Sequence, residues 1–241
     1  MLRFSQLNIG FTKGQRQDPK VLFTSGELSF QAGDFVALIG PNGSGKTTLF
    51  NTILDHQPLL SGNLFFNEKD WKTLSRKEKV KTVSFVPSKF NGVQHLSVKE
   101  LIAMGRAPHA NLLNQFSQKD HQVVAKVMEE LDLTQFAEKD TLYLSDGERQ
   151  IAMIGKALAQ ETRIIILDEP TAFLDYNNRR KVLKILQKVA RKNKQLIFIS
   201  SHDLELCFEY CNRVVGIDQK QKEMCDFFEP FHKEDIISKI F

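Results

Sequence analysis

An α/β fold organised on a parallel sheet is what this sequence predicts, and three stretches predict it. Phe35-Val36-Ala37-Leu38-Ile39 is a short apolar run of strand type, and Thr48-Leu49-Phe50-Asn51-Thr52-Ile53-Leu54 soon after it reads as a helix. From residue 163 onward strands and helices alternate: strand 164–167, helix 179–191, strand 195–200, helix 203–210 and strand 213–217. That alternation is how parallel sheets are connected. Between the two halves, residues 97–160 show helical periodicity and no strand, with Val123, Val124, Val127, Met128 and Leu131 at helix spacing.

The remaining elements follow in order. Leu2, Phe4, Leu7 and Ile9 alternate loosely and mark a first strand over 2–9, with Phe11 in the loop after it. Residues 13–20 are polar, carry Pro19 and read as an exposed hairpin turn. Residues 21–30 are a second extended stretch, and Ala32-Gly33-Asp34 turns into the apolar run at 35. A short strand over 63–67 precedes a loop with Trp71. Ser75 and Glu78 have capping-box spacing for a charged helix over 75–80, and Pro87 stops a strand over 82–86. Ser97 and Glu100 open a helix in the same way. Residues 218–241 read as a loop and a final helix over 232–240.

The chain has 241 residues, 41 % of them hydrophobic and 26 % charged, which suits a soluble globular protein with a core of its own. No apolar run approaches the ~20 residues of a membrane helix, and the first residues lack a signal-peptide core, so a cytoplasmic location is expected. Cys207, Cys211 and Cys225 read as free structural thiols of a reducing compartment, with no further ligands spaced for a metal. The net charge of +4 is mild and argues for no nucleic-acid partner; it suits work near an anionic membrane surface.

The chemistry sits in the loop between the 35–39 strand and its helix: Gly40-Pro41-Asn42-Gly43-Ser44-Gly45-Lys46-Thr47, followed by Thr48. This is the GxxxxGK[ST] P-loop in the strand–loop–helix context it requires. Glycines let backbone N–H groups close on phosphate oxygens, and the helix that follows points its positive end at the anion. Lys46 supplies a point charge for the β and γ phosphates, and Thr47 a hydroxyl ligand for magnesium. A second station is Ile164-Ile165-Ile166-Leu167-Asp168-Glu169, a buried strand ending in two acids at the edge where open α/β sheets bind ligands. Asp168 is placed to hold magnesium, and Glu169 to polarise an attacking water as general base. A third is Leu144-Ser145-Asp146-Gly147-Glu148, where Ser145 and Glu148 again have capping-box spacing.

Taken together these stretches resemble the ATP-binding subunits of ABC transporters. Residues 40–47 resemble Walker A, 164–169 Walker B and 144–148 the LSGGE signature; Phe173-Leu174-Asp175 resembles the D-loop, and His202 after Ile199-Ser200-Ser201 the switch histidine. The match runs over residues 3–217 with order and spacing intact. The resemblance implies one ABC-type domain over 1–241: a P-loop NTPase (RecA-like) α/β core, an antiparallel β subdomain and an inserted all-helical signature subdomain over about 89–160. It further implies a head-to-tail homodimer or pseudo-dimer, with ATP between the P-loop of one copy and Ser145, Gly147 and Glu148 of the other, Asp175 joining the site. His202 would contact the γ-phosphate beside Glu169, and Phe11 would stack on adenine. The implied partners are an integral membrane permease and, indirectly, a substrate-binding protein. The implied location is peripheral, at the inner face of the cell membrane.

Two positions depart from the family's pattern. Asp146 replaces the first glycine of the signature, and an acid there is tolerated only if it turns from the γ-phosphate or serves the first turn of its helix. Ser88 follows Val86-Pro87 where the family has Gln; serine is shorter and reaches a metal only through water. Met104-Gly105-Arg106-Ala107-Pro108-His109 resembles the GRxPH stretch of importers for iron-siderophores, haem and cobalamin, and does not choose among them. The expectation is an ATPase driving such an importer. The alternatives are an exporter, a soluble ABC system, or a weakly hydrolysing regulatory subunit.

Overall fold

The computed structural model describes residues 1–11, 19–110 and 115–241. Most of the polar turn expected over 13–20 lies outside them.

Strand β1 (Leu2–Phe11) runs two residues past its expected end, so Phe11 closes a strand rather than sitting in a loop. The extended stretch after it divides into β2 (Lys20–Thr24) and β3 (Glu27–Phe30), because Gly26 turns the chain at φ 61°. Then come β4 (Phe35–Ile39), α1 (Lys46–Ile53), β5 (Ser61–Phe66), β6 (Lys69–Asp70), α2 (Arg76–Thr82) and β7 (Val83–Val86). Three helices follow: α3 (Val98–Ala103), α4 (Gln118–Glu130) and α5 (Asp146–Ala159). The chain ends with β8 (Ile164–Leu167), α6 (Tyr176–Asn193), β9 (Leu196–Ser200), α7 (Leu204–Tyr210), β10 (Arg213–Asp218), β11 (Glu223–Phe228) and α8 (Lys233–Ile240). Between β7 and β8 no named strand occurs among the described residues, as expected.

Strands β10, β4, β9, β8 and β7 lie side by side, each parallel to the next, and form the core of the sheet. On its far side β11 turns back antiparallel to β10 and touches β2, which continues into the antiparallel group of β1, β2, β3, β5 and β6. The sheet has a packed core on each face. On β4, Phe35, Ala37 and Ile39 face α3–α5 and the last three helices, while Val36 and Leu38 face α1 and the antiparallel strands. β8 divides in the same way, with Ile165 and Leu167 on one face and Ile164 and Ile166 on the other. A strand buried on both faces reads as an unbroken apolar run, which is why the run at 164–167 has no polar alternation.

Two elements expected as loop are strands: the two-residue β6, which pairs with the end of β5, and β11. Met224, Cys225 and Asp226 in β11 are all partly buried, so the alternation that marks a half-buried strand is absent. The strand forms because β10 offers a free edge, against which Arg213 through Asp218 pair with Phe228 through Glu223. Across the pair, Arg213 is bidentate to Asp226 at 2.8 and 2.6 Å.

Candidate nucleotide site

The loop after β4 takes left-handed backbone at Gly40, Gly43 and Gly45, with φ of 153°, 76° and 106°. The reasons for glycine differ by position. A Cβ at Gly45 would lie 2.8 Å from the Phe23 ring beneath the loop, whereas one at Gly43 would meet nothing within 4 Å. Gly45 is therefore required by packing as well as by φ, and Gly43 stands on the open side of the loop. Lys46 reaches back across the loop, its ammonium donating to the carbonyls of Gly40 at 2.8 Å and Pro41 at 3.2 Å. Burial lowers the Lys46 pKa, and the nearby negative charges of Glu169 and Asp168 pull it back up. Ser44 Oγ is buried and has no hydrogen-bond partner among the described residues. An orphaned hydroxyl, a lysine and the positive end of α1 converge on one concavity, a donor set that fits a nucleotide's phosphates. Asn42 lies exposed on this loop, while Thr48 is buried within α1.

From Thr47 a chain of hydrogen bonds crosses the ends of three elements. Thr47 Oγ1 donates to Asp168 Oδ2 at 2.9 Å. Ser200, the last residue of β9, donates from Oγ to Asp168 Oδ1 at 2.6 Å and accepts from the Glu169 amide at 2.8 Å. His202 Nε2 lies 3.0 Å from Glu169 Oε1. Glu169 holds φ 48°, an unfavourable region for a residue with a Cβ, and the Ser200 bond to its amide helps fix it there. Asp168 is 7 % exposed, while Glu169 and His202 open onto solvent beside a cavity of about 590 Å³. Thr47 and Asp168 together offer two oxygen ligands. Magnesium is commonly bound by one or two such groups with the remaining positions filled by phosphate and water, so the pair fits that ion in company with a nucleotide.

Ser200 is the functional side chain that sequence reading passes over. Its signal is faint: a hydroxyl at the end of an apolar strand, two residues before His202. Only the parallel pairing of β8 with β9, which sets Leu167 against Ile199, brings it beside Asp168.

The signature stretch is not brought to this cluster by any described contact. Ser145 caps α5: its Oγ accepts from the Glu148 amide at 3.2 Å, and its amide donates to Glu148 Oε2 at 2.7 Å. These bonds hold the Glu148 carboxyl below its usual pKa, the one from the Ser145 amide counting most. Asp146 turns aside onto Arg149 of the same helix, which resolves the charge conflict its sequence position raises. Gly147 lies close to Phe173, whose carbonyl a Cβ would meet at 3.2 Å. Asp175 caps α6, accepting from the Asn178 amide at 2.9 Å. Exposed aromatic groups stand around these two helix starts: Tyr143, Phe173 and Tyr176. Phe11 is exposed at the end of β1. Ser88 is half-buried after Pro87, whose carbonyl accepts from Gln150 at 3.2 Å.

The Met104–His109 stretch forms a short 3-10 helix whose arginine points inward. Arg106 is 2 % exposed and donates to Asp120 at 2.8 Å, Glu161 at 2.8 Å and the Ala159 carbonyl at 2.6 Å. A Cβ at Gly105 would lie 2.2 Å from the Lys156 carbonyl. Those two residues thus fasten the stretch to α4 and α5, and Met104, Ala107 and His109 are what it shows to solvent.

Comparison with known proteins agrees with this geometry. Residues 23–172 match the sequence profile of the family described as ABC transporter. The petrobactin import ATP-binding protein FpuD of Bacillus anthracis is 32 % identical over 194 residues, covering 80 % of this chain and 71 % of that protein. The iron(3+)-hydroxamate import ATP-binding protein FhuC of Bacillus subtilis (strain 168) is 28 % identical over 244 residues, covering 100 % and 87 %. A solved structure described as a metal-chelate type ABC transporter, in an inward-facing conformation, superposes with a TM-score of 0.80 at 25 % identity, covering 100 % of this chain and 88 % of that one. The chain belongs to the ABC transporter family, as one of its ATP-binding, ATP-hydrolysing subunits.

Proposed function

We propose that this ATPase powers an importer of a metal chelate: an iron complex such as a siderophore or haem, or cobalamin. In this reading residues 1–241 act as one ATP-binding domain with a helical subdomain over about 89–160, and the chain works as a head-to-tail homodimer at the inner face of the membrane, under a permease served by a substrate-binding protein. The observation that carries the ATPase is the unbroken set of hydrogen bonds from Thr47 through Asp168 and Ser200 to Glu169 and His202. Import of a chelate is supported by residues 104–109 and by the names of the relatives above.

Each side chain has a role in the proposed chemistry. Lys46, Ser44 and the backbone of Gly40–Thr48 receive the phosphates. Phe11 stacks on the adenine. Thr47 and Asp168 hold magnesium, which when bound neutralises charge on the phosphate oxygens. Glu169 accepts a proton from the attacking water, with its amide fixed by Ser200 and its carboxylate oriented by His202. The second copy's Ser145 and Gly147 close the γ-phosphate from the other side at the positive end of α5, with Glu148 holding the cap and Asp175 shaping the joint. The exposed Tyr143, Phe173 and Tyr176 support such a joint, because large aromatic groups left in water are characteristic of interfaces.

The test is ATP-dependent dimerisation of Glu169→Gln, measured by light scattering with and without magnesium. A dimer that Ser145→Arg abolishes supports the sandwich. Retained ATP binding with no dimer, even with the permease present, sinks it.

A further inference from the structure

Two cavities lie along the joint between α4 and α6. One, of about 520 Å³, is walled by Lys119, Val123 and Lys126 of α4 and by Val189 of α6. The other, of about 190 Å³, is walled by Glu130, Ile185, Lys188 and Lys192. Lys126, Glu130, Val189 and Asn193 belong to both, so the two are one trough. Its long walls are α4 and α6, with residues 161–163 and 195 beside them, and from residue 119 to residue 130 it runs about 16 Å at the rise of an α-helix. The floor is apolar, with Val127 and Val189 buried and Val123 and Ile185 half-buried.

The rims carry Lys119, Lys126, Arg163, Lys188 and Lys192 against two acids, Glu130 and Glu161, of which Glu161 is paired with Arg106, so their charge is unbalanced toward the cations. Helix α6 carries seven Lys or Arg and no acid between Tyr176 and Asn193, in a chain whose whole net charge is +4. Its first three cations are neutralised: Arg179 by Asp203, Arg180 by Glu209 and Lys181 by Asp132. Among the described residues, Lys188 and Lys192 are in no ion pair, and neither are Lys119, Lys126 and Arg163 around the same trough. Lys184, Lys188 and Lys192 follow one another at i, i+4 spacing, where like charges destabilise a helix. An anionic occupant relieves that repulsion. A compact metabolite is a poor fit, because the buried polar groups at the closed end are already engaged: Gln195 donates to the Thr162 carbonyl, and Thr162 Oγ1 donates at 2.8 Å to the Ile164 carbonyl.

We propose that this trough is a docking groove for an acidic amphipathic helix of a partner protein, laid between α4 and α6 with its apolar stripe on the valines and its carboxylates against the lysines. The surface is separate from the nucleotide site and independent of which cargo the transporter carries.

The probe is a labelled synthetic helix of about five turns, ~18 residues, with a leucine stripe flanked by glutamates. Its binding to the full chain is read by fluorescence anisotropy. Two controls accompany it: a scrambled peptide of equal composition, and polyglutamate. The expected result is saturable binding of the patterned peptide alone, weakened roughly tenfold or more by Lys126→Glu with Lys188→Glu, and by Val123→Ser to a smaller extent. ATP hydrolysis stays at its basal rate in those variants, which reports that they fold. Equal binding of the scrambled peptide or polyglutamate would reduce the groove to unspecific charge and overturn the proposal. So would binding that the charge reversals leave unchanged, or no binding at all.

Discussion

The two ends of the site are held together in opposite ways. At the phosphate end Lys46 is held by its own loop, but the acids and their neighbours are positioned by partners distant in sequence: Thr47 by Asp168, Asp168 by Ser200, Glu169 by Ser200 and His202. At the signature end each is positioned by its own helix: Ser145 by Glu148, Asp146 by Arg149, Asp175 by Asn178. The first end is a product of the parallel sheet and is complete within one chain. The second is a pair of finished helix starts with aromatic groups left in solvent, so anything it does for ATP it does to a surface outside itself. A defect at the phosphate end should therefore strike chemistry and spare the fold. A defect at the signature end should strike local stability together with any association.

Glu169→Gln gives the largest expected effect. Removing a general base costs about 10²–10⁴-fold in turnover. Because Glu169 contributes little to packing, the thermal midpoint and ATP affinity should stay near wild type. A steady-state phosphate-release assay beside equilibrium ATP binding decides this, and turnover within a few-fold of wild type would break the assignment.

The support under the signature end comes next. Arg106→Met leaves the Asp120 carboxylate buried without its partner, and breaking a buried pair in this way costs about 3–5 kcal/mol. Thermal denaturation should show a fall of several degrees. If the loss were confined to hydrolysis, with the midpoint unchanged, residues 104–109 would be functional rather than structural. Ser200→Ala ranks third. It removes two hydrogen bonds that involve a charged or strained group, so the chemical step should slow by about 10–100-fold while KM for ATP and the thermal midpoint move little. A matching loss of stability would make Ser200 a packing residue.

The same contrast governs what is legible in the sequence. Strands buried on both faces and helices with capping boxes declare themselves locally, and the expected boxes at Ser75, Ser97 and Ser145 all form. Lys46, Thr47, Asp168, Glu169 and His202 sit in local patterns that packing or capping alone would not require, and the fold gathers them. Ser200 has no such pattern, because its role exists only across the β8–β9 pairing. β11 is illegible for a related reason: the edge of β10 induces it. Arg106 reads as part of a motif resembling that of importers, and its inward ion pairs with Asp120 and Glu161, on or beside other helices, cannot be seen from spacing.

The smallest expected effect is a pH dependence on the signature side. The Ser117 hydroxyl and amide, with Arg106 beside them, hold the Asp120 carboxyl down to about 2. A carboxylate depressed in the folded state stabilises above its unfolded value of ~3.9, and that contribution fades as pH falls from there through the folded value. The acid limb of thermal stability between pH ~4 and about 2 should therefore be shallower in Asp120→Asn than in the native chain, with an overall lower midpoint at neutral pH. An unchanged acid slope would mean that Asp120 does not hold this charge in the folded protein. Glu148 is displaced in the same direction by Ser145, so Ser145→Ala should lose about 1 kcal/mol of cap and part of the same acid slope. Neither change touches the hydrogen bonds from Thr47 to His202, so ATP affinity in the isolated chain should not follow them; if it did, the two ends would be coupled within one chain and the contrast between them would fail.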